Sequence, residues 1–487
     1  MTGSEGIFIA GVGHSAYSRS SSRSVPSLAI DAVRAALADA GLGVADIDAI
    51  VPVGGYIFSD DLISNLGVRT DVIDALPAPG GNGGVSSLGI AELMILSGRA
   101  RTVLVVMSRK ASVNRIVSRV PSLPGPQFRT FLEQPHGWAA PVQWYSMIAR
   151  RHMIEYGTSK AAMAEVALTM RAHAQLNPNA VMHGKPLTQA EYDAGPMISD
   201  PYQLHDCCLE TDGAVALLLR LSPRRDPDGR TEVALEAVAS SRPSSPEDLT
   251  NRLDWFDIGL RSAARACYER AGIGPADVDV AMIYDCFTFE VLHQLEEAGF
   301  CERGESDKLV RSGGIALGGP LPVNTHGGLL SEGHLMGLSH VVEAVRQLRH
   351  EASGRQVRGA RIAVVTGWGD WGDGSMALLR GRLGCIPIGT TSRYWRPNCF
   401  RSSGRPARET SGCRAACGAT ASSGPRGRYA ATAASTRWAG QAPRAEAACT
   451  RGLRRTGRSR KISPGIRRTP SPSSRSTFPI SSVSSAG

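Results

Sequence analysis

A chain of 487 residues is long enough for two or three domains with a well-buried core. Its formal charge of +10 misleads: of 54 Lys and Arg side chains, 20 lie after Arg380, with only two of the 44 acidic residues, so residues 1–380 hold 34 basic against 42 acidic groups and carry −8. The basic balance belongs to the tail and gives no ground for nucleic-acid binding by the body. The body's cysteines, Cys207, Cys208, Cys267, Cys286 and Cys301, are odd in number and contain no CxxC pair, which fits reduced cytoplasmic thiols better than a disulfide framework. No charged leader precedes an apolar run, and no uninterrupted apolar stretch approaches the ~18 residues of a membrane span, so a cytoplasmic protein without membrane segments is expected.

In chain order, "IFIAGVGHSAYSR" reads as an opening strand, and "AIDAVRAALADAG" as an amphipathic helix ending at Gly41. A turn and a buried strand follow, in "LGVADIDAIVPVGG". The same order returns in "GLRSAARACYERAGIGPADVDVAMIYDCF", where "AGIGPADVDVA" matches "AGLGVADIDAI" and Gly272 takes the place of Gly41. A second pair of helix and strand, "LGIAELMILSGRARTVLVVMS", returns as "HVVEAVRQLRHEASGRQVRGARIAVVTG". Two copies of an alternating unit predict a duplicated α/β fold, layered with helices between sheets. The halves are expected at residues 1–107 and 229–380. Between them, 108–228 carries helical segments such as "APVQWYSMIARRHMIEYG" and reads as an inserted lid.

Residues 381–487 are rich in Arg, Ser, Ala, Gly, Thr and Pro, hold neither His nor Asp, and have no apolar periodicity. Such a segment buries too little apolar surface to offset its ordering entropy, so a disordered tail is expected. Its composition is also that of a GC-rich gene read out of frame. "CRAAC", Cys413 to Cys417, has the wrong spacing for a zinc site, and no metal is expected.

The duplicated halves, "DCCLETDGAVALLL", "YDCFTFEVLHQLEEAGFC" and "NTHGGLLSEGHLMG" stand in an order that resembles the thiolase superfamily over Ile7 to about Arg380. Within it, they resemble the sterol-carrier and lipid-transfer-protein branch. The resemblance implies a layered α/β/α/β/α thiolase fold, a homodimer and an acyl-CoA substrate, with coenzyme A as part of the substrate and no further cofactor. It also implies an OB-fold, zinc-ribbon partner protein as a possible companion; "GCIPIGTTSRYW" faintly resembles the opening of such proteins. It implies that His334, in "GHLMG", is the counterpart of the thiolase loop histidine. The thiolase nucleophile, a cysteine, would fall at or near Gly81 in "PAPGGNGGVSSLGIAEL", and the acid/base cysteine near Thr366 or Gly367; both cysteines are missing. Ser86 and Ser87 lie off the family position and would need an adjacent base to act as nucleophiles. Tyr284 opens the "YDCF" loop where thiolases have Asn or His. In this the chain resembles the thiolase-like aldolases that shorten steroid side chains, in which that tyrosine is a catalytic acid/base. Those enzymes carry a second tyrosine where this chain keeps His334.

The resulting expectation is carbon–carbon cleavage of a β-hydroxyacyl-CoA, a steroid or lipid side chain, without an acyl-cysteine. A retro-aldol step needs only a base for the β-hydroxyl and an acid for the enolate carbon, together with donors for the thioester oxygen. Tyr284 and His334 are the candidate catalytic pair, with the proton carried either by Tyr284 or by His334 as a shuttle. Asp285, Asn324, His326, Gly327 and Gly328 are supporting residues: the two glycines are read as allowing close approach to the thioester, and Asp285 as orienting a loop. Cys207 and Cys208 read as packed loop residues and His136 as a lid residue. The alternatives are a thiolase-type acyltransferase with an unconventional nucleophile, resembling acetyl-CoA acetyltransferases, and a non-catalytic acyl-CoA or lipid-binding subunit.

Overall fold

The computed structural model describes residues 6–68, 73–74, 80–113, 129–221, 230–245, 249–369 and 372–382. The first half contains β1 (Ile7–His14), α1 (Val25–Ala40), β2 (Ala49–Pro52), α2 (Ser59–Leu66), β3 (Ile73–Asp74), α3 (Gly83–Leu96) and β4 (Thr102–Lys110). Next come α4 (Pro141–Tyr156), α5 (Lys160–Gln175), α6 (Gln189–Asp193), the short pair β5 (Met197–Ser199) and β6 (Tyr202–Gln203), and then β7 (Asp212–Arg220). The second half has β8 (Glu232–Ser241), α7 (Leu260–Ala271), β9 (Val280–Met282), α8 (Thr288–Glu297), α9 (Ser306–Arg311), α10 (Gly328–Ser331), α11 (Leu338–Leu348), β10 (Ile362–Trp368) and β11 (Gly374–Arg382).

Nine of these strands form one sheet in the order β3-β2-β4-β7-β1-β8-β11-β10-β9. The two sides repeat each other: β2 and β4 run parallel, as do β9 and β10, and the strands inward of them run antiparallel. The parallel neighbour that β3 gives β2 is matched beside β9 by a single bridge, Ala281 to Val323. The expected separate sheets are joined where β1 pairs with β8 through Ile7 with Leu235 and Phe8 with Ala234. Helix α1 covers the first half and α7 the second, while α3 and α11 touch each other and strands of both halves. This is the layered, duplicated fold expected from the repeat. Of the segment expected as an insertion, residues 212–220 are β7, which lies inside the first half's sheet between β4 and β1.

The repeat has a local cause that can be followed atom by atom. Helix α1 starts at Ser24, whose hydroxyl accepts from the Ser27 amide, and ends at Gly41 with φ 63°; α7 ends at Gly272 with φ 64°. Both glycines take the left-handed conformation that closes a helix. In each copy the next turn is capped by an aspartate: Asp46 accepts from the Gly43 amide and Asp277 from the Gly274 amide, both at 2.8 Å. In each copy another aspartate then holds the start of the neighbouring strand. Asp48 accepts from the Arg101 and Thr102 amides, and Asp279 from those of Arg361 and Ile362.

Apolar side chains from both halves, with α3 and α11 between them, make the central core. A second core joins α4 and α5 to the second half through Tyr145, Ile148, Met163, Phe287, Phe289 and Trp368. The tail expected to be disordered lies outside the described residues beyond Arg382, as do Cys413 and Cys417; Gly381 and Arg382 complete β11.

Candidate active site

Tyr284 follows β9 and His334 follows α10, and the fold brings the two side chains together: Tyr284 Oη lies 3.0 Å from His334 Nε2. Both are buried, at 3% and 7% exposure. The backbone of Tyr284 is held on two sides. Its amide donates to Thr366 Oγ1 at 3.1 Å and its carbonyl accepts from Gln294 Nε2 at 2.6 Å, while Thr366 donates to Gln294 Oε1 at 2.7 Å. Thr366, near the expected place of the second thiolase cysteine, therefore positions Tyr284.

At Gly81, at or near which the nucleophilic cysteine was expected, a side chain does not fit. A Cβ there would lie 2.3 Å from Tyr284 Cζ, 2.5 Å from Cε1 and 2.2 Å from the Trp368 carbonyl oxygen. The phenol ring occupies the room that a nucleophile's side chain needs, so the missing cysteine and the added tyrosine are one change of shape. Ser87 donates its hydroxyl to the Gly84 carbonyl at 2.8 Å, which leaves it occupied as a helix hydroxyl.

The supporting residues build the loop that carries His334. Asn324 binds Ile283 through both ends of its amide, accepting from the Ile283 amide at 2.8 Å and donating to its carbonyl at 2.7 Å. Asp285 accepts from the Leu329 and Leu330 amides and bonds to His340 Nε2 at 3.1 Å. Burial pushes the Asp285 carboxyl up despite His340 and these amides. His326 lies 3.3 Å from His340 and is held neutral by burial and by the neighbouring imidazole. Gly327 and Gly328 were expected to make room for a thioester, but their space is taken by the protein. A Cβ on Gly327 would meet Ala174 of α5 at 2.8 Å, and one on Gly328 would meet Asp285 Oδ2 at 2.0 Å; both backbones have positive φ. The groups that approach these two glycines closely are a helix and a carboxylate.

Two further neighbours of His334 were not among the candidate site residues. Arg109, at the end of β4 and 2% exposed, places Nη1 3.3 Å from His334 Nδ1. Cys208 Sγ lies 3.6 Å from the same nitrogen, so a cysteine expected to be a packed loop residue reaches the site. Burial pushes its thiol well up, which keeps it protonated. The His334 amide donates to Thr211 Oγ1 at 3.0 Å. A charged residue closing the apolar run "TVLVVMSRK" was the one sequence signal for Arg109. His136 is exposed and is not brought to this pair.

A duplicated α/β fold in which a tyrosine ring fills the space beside Gly81 and bonds to a histidine is of the thiolase type. Residues 242–382 match the family described as thiolase C-terminal domain-like. The 17-hydroxy-3-oxo-4-pregnene-20-carboxyl-CoA lyase of Mycobacterium tuberculosis is 34% identical over 384 residues, 74% of this chain and 95% of that protein. The steroid side-chain-cleaving aldolase of Thermomonospora curvata is 32% identical, over 74% of this chain and 95% of its own length. The solved Ltp2-ChsH2(DUF35) aldolase superposes with a TM-score of 0.72 at 30% identity, over 77% of this chain and 98% of that one. The chain belongs to the thiolase superfamily, in its sterol-carrier-type branch.

Proposed function

We propose that this chain cleaves a β-hydroxyacyl-CoA by retro-aldol chemistry, with a steroid side chain as the acyl group. The observation that carries the reading is the Tyr284 ring standing where Gly81 would otherwise bear a nucleophile. Acyl transfer through a cysteine has no room at this position, whereas a phenol bonded to an imidazole suits proton transfer. The names of the two curated relatives and of the solved aldolase support the same reaction class.

In this mechanism Tyr284 takes the proton of the β-hydroxyl. The electron pair of the Cα–Cβ bond moves onto the thioester as an enolate, the β-carbon leaves as a carbonyl, and a proton returned to the enolate carbon completes a shortened acyl-CoA. Atoms balance without free CoA, water or an oxidant. Coenzyme A enters only as part of the substrate. For the alternative of thiolase-type transfer through an unconventional nucleophile, Cys208 is the cysteine beside His334, but burial holds its thiol protonated and argues against that role.

We further propose a cytoplasmic homodimer that works with a DUF35-type partner. The likeness to the Ltp2-ChsH2(DUF35) aldolase supports the partner, and the free cysteines of the described residues accord with a reducing compartment. Among the described residues no helix is long and apolar enough to cross a membrane.

The test is product analysis by mass spectrometry with the full chain, a branched β-hydroxyacyl-CoA, and a DUF35-type protein present or absent. A ketone and a shortened acyl-CoA are expected with no consumption of free CoA, and Tyr284→Phe is expected to abolish turnover while preserving the far-UV spectrum. Cleavage that requires a β-ketoacyl-CoA and free CoA would replace this reading with thiolysis.

A further inference from the structure

Among the described residues, Arg109 is a buried cation with no carboxylate partner. Among the described residues no carboxylate lies within ion-pair distance of its guanidinium, and its Nε makes no hydrogen bond. Its other contact is aromatic: the guanidinium carbon sits 5.6 Å from the centroid of the Tyr56 ring. Burying an arginine without a carboxylate is costly, so its place against His334 calls for an explanation.

A guanidinium only donates hydrogen bonds and does not lose its charge in a protein. At 3.3 Å from Arg109 Nη1, His334 Nδ1 must therefore be the acceptor. The ring's proton then resides on Nε2, the nitrogen 3.0 Å from Tyr284 Oη, and it is donated to the phenol oxygen. Protonating the imidazole would set two cations side by side at hydrogen-bond distance in a buried site. We propose that Arg109 is a positioning residue that locks His334 as its neutral Nε2–H tautomer and, through that bond, favours the phenolate of Tyr284. His334 is then a hydrogen-bond donor that carries the influence of Arg109, and Tyr284 is the group that gains and loses the proton. This assignment rests on the retro-aldol reading for its catalytic meaning, but the tautomer and the relay stand on the geometry alone.

Among the described residues, the other titratable groups facing the trio leave the relay intact. Cys208, 3.6 Å from Nδ1, is a thiol kept protonated by burial. Asp285 is bonded to His340 and to the backbone of α10. Tyr17 is packed against Gly213 and Gly333 and is kept protonated by burial and by Glu332. Glu332 is itself held up by burial and by Glu343, and it is bonded to Asn177. None of these side chains is bonded to the Arg109 guanidinium, whose hydrogen bond goes to His334.

The test needs no turnover. With the full chain labelled at histidine nitrogens and tyrosine Cζ, NMR reads the His334 tautomer and the Tyr284 ionisation, with Tyr284→Phe and His334→Gln used for assignment among the 10 tyrosines and 11 histidines. His334 is expected to remain neutral and protonated on Nε2 from pH 8 down to pH 5. An imidazolium formed near the ordinary value of about 6.5, or an Nδ1–H tautomer, would overturn the relay in the wild-type protein itself. In Arg109→Gln the Tyr284 midpoint is expected to rise by about one pH unit or more, while Arg109→Lys, which keeps the charge, stays closer to wild type. A folded Arg109→Gln with an unmoved Tyr284 midpoint would also overturn it. Where the lyase reaction is observed, kcat/KM of Arg109→Gln at pH 7 should fall by about tenfold per unit of that rise and recover at higher pH. The predicted NMR behaviour without any lyase activity would sink the proposed reaction and keep the relay.

Discussion

At the scale of single residues, the site is decided by one exclusion. A Cβ at position 81 and the Tyr284 ring would compete for the same volume, so Gly81→Ala should force the phenol off His334 or shift the Trp368 carbonyl. Overpacking of this kind costs about 1–3 kcal/mol in stability, and displacing a reacting group by an ångström costs on the order of 100-fold in rate. Urea denaturation and steady-state kinetics on the purified variant measure the two effects. A Gly81→Ala protein with wild-type turnover would show that the ring does not need its present position. Much of this was legible in the sequence: Tyr284 and His334 stand in recognisable motifs, and the nucleophile's absence could be read directly from the cysteine positions. Arg109 was not legible, because it closes an apolar strand and meets a histidine 225 residues away, and no local spacing encodes that meeting.

At the scale of elements, the loop from Asn324 to His334 is held by the helix laid over it. From α5, Arg171 Nε donates to Ser331 Oγ at 3.1 Å and His173 Nδ1 lies 3.3 Å from the Asn324 carbonyl. Just beyond α5, Asn177 Nδ2 donates to the His326 carbonyl at 3.0 Å and to Glu332 Oε1 at 2.9 Å. The Val181 and Met182 amides then donate to the carbonyls of Glu332 and Ser331. The sequence showed the double glycine but not its occupants, because Ala174 and Asp285 arrive from other elements. Asn177 is fully buried, so Asn177→Ala strips two acceptors of their donor and should cost about 1–3 kcal/mol. A chemical melt checks this, and an unchanged midpoint would show that the clamp is redundant. Glu332 adds a pH dependence to the same clamp. Burial and the nearby Glu343 raise its carboxyl to about 8, against the pull of Asn177, Arg346 and Arg355. A carboxyl raised in the folded state stabilises it fully below the unfolded value of about 4.3, and that contribution is lost as pH rises through about 8. Glu332→Gln should therefore flatten the fall in stability between pH 5 and pH 8, by an amount on the order of a few kcal/mol. Parallel pH profiles for the variant and wild type would refute the assignment.

At the scale of the whole molecule, the duplication is stabilised where its copies meet. The repeated glycines and aspartates made two equivalent halves readable from the sequence; the link between them was not, because it joins residues far apart in the chain. Arg349, after α11, donates to Asp39 Oδ2 of α1 at 2.8 Å and to the carbonyls of Ile9 and Ala10 in β1, each at 3.1 Å. Arg230, leading into β8, binds the other oxygen of Asp39 at 2.7 Å and also pairs with Glu351. Burial alone would push the Asp39 carboxyl up, but Arg349, the Val12 amide and Arg230 outweigh it and hold it below the ordinary value. A carboxyl lowered in the folded state contributes stability above its unfolded value, and that contribution is lost as pH falls through the folded one. Asp39→Asn leaves the buried Arg349 without its counter-charge and should cost about 3 kcal/mol at pH 7. The cost should shrink below about pH 4, because wild-type Asp39 is then losing the same charge. Urea melts of both proteins from pH 7 down to pH 3 test this. A difference that stays constant over the whole range would mean that Asp39 joins the halves through its shape and hydrogen bonds, with its charge contributing nothing.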